Sequence, residues 1–155
     1  MIENILSFLE WVFLVLLILT AIFDIRIHKI MPFLVYSMFF ASTIKIGFSI
    51  VNNGVYFTSL WSALISCFIT TFLFWLMYRF SHGIGAGDVK LMAAVSLFYG
   101  IRGISFIVMV SMLLVSIIGM ILIIKDHCNL KAELPFAPFV AVAAILREFF
   151  ILVGI

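Results

Sequence analysis

Residues 5–32 read ILSFLEWVFLVLLILTAIFDIRIHKIMP, a hydrophobic run broken by Glu10 alone and closed by Asp24, a short basic loop and Pro32. As an α-helix, residues 5–23 extend about 29 Å, enough to cross a hydrocarbon core of about 30 Å. Met1-Ile2-Glu3-Asn4 carries no positive charge and the run ends in Asp-Ile-Arg instead of small residues, so it reads as a retained span and not a cleaved signal peptide. The remaining sequence has the same character. Of 155 residues, 66% are hydrophobic and 10% charged, with mean hydropathy +1.38. That composition excludes a soluble globular domain and describes a polytopic membrane protein.

Hydrophobic runs separate at 24–32, 51–56, 79–88, 100–103 and 125–134. Six helices are therefore expected, at about 5–23, 33–51, 57–79, 88–100, 104–124 and 136–153. The expected architecture is all-α, a six-transmembrane-helix bundle forming one domain over residues 1–155. The fourth segment is too short to cross, since residues 88–100 make about 20 Å of helix. Either the helix continues through Gly100 and Gly103, or the turn before it dips inward and carries Asp88 into a protein-lined, wet pocket. The second is the expectation.

A net charge of +2 matters less than where the cations fall. With alternating loops, Arg26, Lys29, Arg79, Lys90, Lys125 and Lys131 share one face, six of the nine Lys and Arg. That face is assigned to the cytoplasm, with both termini outside. No basic run suits nucleic acid. Cys67 and Cys128 lack CxxC spacing or histidine pairs, so no metal site or cofactor is expected, and His28, His82 and His127 read as solvated loop residues.

Two acids, Asp24 and Asp88, then fall on the cytoplasmic side. Asp88 ends Gly85-Ala86-Gly87-Asp88, a turn opening a helix, with Lys90 two residues on. An acid at membrane depth marks a functional site by default. Two carboxyls held about 3 Å apart cannot both ionise, so one draws a proton from water while the other donates to a scissile carbonyl. Gly85 and Gly87 permit torsions closed to other residues and a close approach to a neighbour or an extended substrate. The plainer accounts are that Asp88 caps its helix and that Asp24 snorkels to pair with Arg26 or Lys29.

The stretch from Asp24 to Pro32, Gly85-Ala86-Gly87-Asp88-Val89-Lys90, and Leu134-Pro135-Phe136-Ala137-Pro138-Phe139 together resemble the signature of type IV prepilin peptidases: an aspartate before a helix-starting proline, GxGDxK, and Pro-Phe-x-Pro-Phe. The likeness implies a membrane-embedded aspartic endopeptidase of the cytoplasmic (inner) membrane, cutting the short basic leader from prepilin or pseudopilin-like substrates at the cytoplasmic face. Asp24 and Asp88 carry over as the catalytic pair, with Gly85, Gly87, Lys90, Pro135 and Pro138 as substrate-binding or site-shaping residues. Archaeal preflagellin peptidases are more distantly similar, as are presenilin-type GxGD proteases, which have Tyr-Asp where this chain has Phe23-Asp24. The zinc-binding CxxC insertion of the long, N-methylating forms is missing, so methylation is not predicted, and the chain looks more like the peptidases of Tad/Flp-type pili. Pro32-Phe33 stands where Pro-Asn is frequent.

Lys90, on an ideal helix, points away from Asp88, and reads either as a group favouring dyad ionisation or substrate binding or as a snorkelling lysine. Pro135 and Pro138 suit the first turn of the last helix. Lys45, Glu10, Arg147 and Glu148 read as snorkelling or interhelically paired groups near the outer ends of spans. From another class, a small proton- or cation-coupled transporter would use Asp24 and Asp88 as ion-binding carboxylates, but such acids lie nearer the midplane, often within repeats. A structural membrane subunit would tolerate replacement of both.

Overall fold

The computed structural model describes residues 2–27, 30–53, 56–80, 85–126 and 135–154. Their regular structure is helical: α1 (Ile2–Ile27), α2 (Pro32–Asn53), α3 (Tyr56–Phe80), α4 (Ala86–Asp126) and α5 (Ala137–Val153). His28, Lys29, His82, His127, Cys128 and Lys131 lie outside the described residues. Residues 5–27, 32–50, 60–80 and 86–121 are each apolar and long enough to cross a membrane, and the chain is a multi-pass membrane protein.

Five helices stand where six segments were expected. The fourth and fifth segments follow each other without a loop in α4, which is broken only at Gly100 (φ 63°, ψ −174°). Glycine alone adopts that conformation readily, so one residue replaces the expected connection at 100–103. Run straight, α4 would put Asp126 about 57 Å from Asp88. Yet Ala137 lies beside Asp24, which shares a cavity with Asp88, and the stretch from 126 to 137 reaches at most about 40 Å. The axis turns at Gly100, where two helical stretches meet across a kink.

The first part of α4 is the centre of the bundle. Val89, Leu91, Met92, Ala93, Ala94, Val95, Ser96, Phe98 and Tyr99 are all buried. Neighbouring helices hold it through its own carbonyls: Ser42 Oγ of α2 donates to Ala94 O (3.3 Å), Ser66 Oγ of α3 to Ser96 O (3.0 Å), and Cys67 Sγ to Ala93 O (3.6 Å). Lipid supplies no hydrophobic force between helices, so small residues and interhelical hydrogen bonds of this kind are what join them. The expected short fourth helix is thus corrected: the helix continues through Gly100 and Gly103, and residues 86–121 together are long enough to cross.

Charged groups gather at the far end. Lys45 Nζ meets Glu10 Oε1 at 3.0 Å and sits 3.9 Å above the Phe98 ring, which stacks on Phe13 at 3.9 Å. Arg147 pairs with its neighbour Glu148 and lies 4.8 Å from the Tyr99 ring centroid. Gly103 makes room for this: a Cβ there would come within 2.8 Å of Tyr99 Cβ and 3.0 Å of Arg147 Nε. The interhelical pairing expected for Glu10 and Lys45 is therefore present, whereas Arg147 is paired within α5. Glu10 is about 21 Å from Asp24 along α1, and Tyr99 about 16 Å from Asp88 along α4. Both spacings fall short of the roughly 30 Å hydrocarbon thickness, so at least one of the two polar layers lies within it.

Candidate active site

Asp24 is placed by the buried face of α1. Phe13, Leu17, Thr20, Ala21 and Asp24 recur three or four residues apart and are all buried, so the carboxyl continues the stripe that faces the bundle. Asp24 is only 5% exposed. Its Oδ2 accepts the main-chain N–H of Ala137 at 3.0 Å, across 113 residues of sequence. Arg26 is exposed and forms no ion pair with Asp24. Snorkelling to pair with Arg26 is thus not what this side chain does, and Lys29 lies outside the described residues.

Asp88 is placed by its own turn. Gly85 precedes the first residue of α4, and its N–H donates to Asp88 Oδ2 at 3.0 Å, while Asp88 N–H donates to Gly85 O at 3.1 Å. This is half of a capping box, an acid in the first turn reaching back to the residue before the helix. Asp88 does cap α4, and the bond engages one carboxyl oxygen. The second oxygen of Asp88, like that of Asp24, makes no hydrogen bond among the described residues.

Both carboxyls line one cavity of about 600 Å³. Its walls are the end of α1 and start of α2, with Ile27, Ile30, Met31 and Pro32, and the turn Gly85-Ala86-Gly87-Asp88. Apart from the two acids, the walls are apolar side chains and glycine backbone. Gly87 is needed for closeness: an added Cβ would lie 3.1 Å from Ile30 Cβ and 3.4 Å from its Cγ1 and Cδ1. Gly87→Ala is expected to push the turn and Ile30 apart by a few tenths of an ångström. A misplacement of 1 Å in a reacting group can cost roughly 10²-fold in rate, so a smaller shift is expected to lower kcat several-fold, as measured by initial rates on purified protein.

A family model described as the type IV leader peptidase family matches residues 11–124. The chain belongs to that family. The match takes in both Asp24 and Asp88. Among individual relatives of this type IV leader peptidase family member is a prepilin leader peptidase/N-methyltransferase of Xanthomonas campestris pv. campestris, 28% identical over 97 residues, or 61% of this chain. The chain spans only 30% of that relative's length. No solved structure matches it.

The other residues singled out from the sequence fare unevenly. Gly85 and Gly87 line the cavity with the two acids. Lys90 is exposed and stands apart from the cavity lining. Pro135 and Pro138 stand on either side of Ala137, whose N–H reaches Asp24, and are not among the cavity's lining residues. Sequence reasoning missed Ile30 and Met31, which have no chemistry to announce them, and Ala137, whose contribution is a main-chain atom. The signal for Ala137 was the pair of prolines around it, which marks a helix start.

Proposed function

We propose that the protein is a membrane-embedded aspartic endopeptidase that removes the short basic leader of prepilin-like proteins, with Asp24 and Asp88 as its catalytic pair. The observation that carries this reading is the shared cavity of the two carboxyls at the ends of helices. In the mechanism one carboxyl of the dyad is ionised and the other holds a proton. The ionised carboxyl takes a proton from water, the oxygen attacks the scissile carbonyl, and the protonated carboxyl donates to the carbonyl oxygen. The carboxyl that took the water's proton then gives it to the amide nitrogen as the C–N bond breaks, and the other carboxylate takes back a hydroxyl proton as the gem-diol collapses, which leaves the leader as an acid and restores the dyad.

Topology supports a cytoplasmic site in the inner membrane. Arg26, Arg79 and Lys90, all exposed, lie at the same helix ends as the two acids, and cationic loops remain on the cytoplasmic side. Both termini then face outward. A leader rich in Lys and Arg meets the acids and lipid headgroups there, while the substrate's apolar helix stays in the bilayer.

The test is incubation of purified protein in lipid with a prepilin-like protein carrying a basic leader and an apolar helix, read by mass spectrometry. A single cut between leader and helix is expected. Stoichiometric ion movement with no cleavage would replace this reading with the transporter.

A further inference from the structure

The first turn of α5 is wired differently from a capped helix. Phe136, at the N-cap, offers no side-chain hydrogen bond. The N–H groups of Phe139 and Val140 turn back to Phe136 O at 3.1 and 3.4 Å, and Pro138 has none to offer. That leaves Ala137, whose N–H is given to the carboxyl of another helix, Asp24 Oδ2 at 3.0 Å. Donor and acceptor are both buried, Ala137 fully and Asp24 at 5% exposure, so bulk water does not compete for either. The donor also sits at the positive end of the helix dipole, where a carboxylate is favoured.

The start of α5 is held firmly enough to act as a reference point. Phe136 is buried and its ring lies 5.6 Å from that of Phe74 on α3. Ala137, Val140, Ala141 and Ala144 are buried behind it, small or compact side chains that let helices approach closely. Asp24 itself sits near the end of α1, where the chain leaves the helix within a few residues. Without this donor no hydrogen bond among the described residues would orient its carboxyl.

We propose that the main-chain N–H of Ala137 is the positioning group for Asp24, and that Pro135 and Pro138 serve to present this one donor. It rests on the peptidase reading for its effect on catalysis, although the contact exists independently of that reading. The bond orients one oxygen of Asp24 and leaves the other for water in the cavity. The last helix is then part of the catalytic apparatus through its backbone, with no titratable side chain of its own at the site among the described residues.

The test replaces Ala137 with lactic acid, turning the Phe136–Ala137 amide into an ester and the N–H into an oxygen with almost no change in shape. The companion is the same amide-to-ester change at Phe139, whose N–H bonds only back to Phe136 O within the same turn. With the protein in lipid and a prepilin-like substrate, the ester at 137 is expected to lower kcat about 10- to 100-fold, the loss of one hydrogen bond to a charged group. KM should stay within about twofold, and the ester at 139 should cost clearly less in kcat. Unchanged kcat in the 137 ester, or an equal loss in the 139 ester, would overturn the proposal. An infrared difference spectrum, with the Asp24 band assigned through Asp24→Asn, separates this from the activity reading. A band moved by the ester at 137 and not by that at 139 upholds the contact even if the wild type cleaves nothing, and an unmoved band refutes it.

Discussion

Asp24→Asn and Asp88→Asn are each expected to lower kcat for prepilin cleavage by about 10²–10⁴-fold, the range for loss of a positioned general acid or base. The double variant should be no worse than the poorer single one, because groups that act as a unit do not add. Asparagine is the informative replacement at both positions. Its amide oxygen can still accept the N–H of Ala137 at position 24, or of Gly85 at position 88, which Asp24 and Asp88 accept at 3.0 Å. The bonds that hold the helix starts are therefore retained while the exchangeable proton is lost. Alanine would remove both and confuse folding with chemistry, since a lost cap alone costs roughly 0.5–2 kcal/mol. Prepilin cleavage assays beside thermal melts of the same preparations decide the matter: wild-type melting with wild-type cleavage in either asparagine variant would end the dyad assignment.

Gly100→Ala is expected to give the largest loss of stability of any small substitution in the central helix, roughly 1–3 kcal/mol from backbone strain. Gly100 combines φ 63° with ψ −174°, and an added Cβ would also come within 3.2 Å of Ser62 Oγ. The strain is torsional, so Ser62→Ala, which removes the hydroxyl, should not rescue it. The chain's alternative is to let α4 run on as a straight helix, which would disturb the packing of its second half on α5, where the Phe106 and Phe150 rings meet at 5.9 Å. Because Gly100 and Asp88 share one buried helix, about 18 Å apart along it, a shift at one end is carried to the other. Activity should fall together with the melting temperature. Tryptophan fluorescence melts in lipid or detergent check this, and melting unchanged to within a degree would show that the turn at Gly100 carries no strain for other residues.

Much of the site was legible because its parts are chemically conspicuous. An acid following nineteen residues that include one charge, and a GxGD turn at the start of a helix, are visible as departures from the hydrophobic pattern. The buried face of Asp24 could also have been read from its spacing to Leu17, Thr20 and Ala21, which share its side of α1. What could not be read was which helix would meet that face, since a main-chain N–H at Ala137 has the same appearance in sequence as any other. The six-segment count differed for a related reason. Glycine at 100 and 103 signals a break, but whether the break becomes a loop or a single residue of unusual torsion depends on the room around it, made here by Ser62, Tyr99 and Arg147.

The sequence by itself determined that this is an all-helical, multi-pass membrane protein and, within a few residues, where α1, α2, α3 and α5 lie, because hydrophobic length and the cost of unsatisfied backbone in lipid leave few alternatives. It also singled out Asp24 and Asp88 as the acids to explain. Only the tertiary structure decided that they line one cavity, that Lys90 stands apart from it, and that α5 reaches Asp24 through a backbone amide. Those facts depend on packing among helices far apart in the chain. In lipid that packing rests on small residues and hydroxyl-to-carbonyl bonds, and not on any periodicity that one helix displays alone.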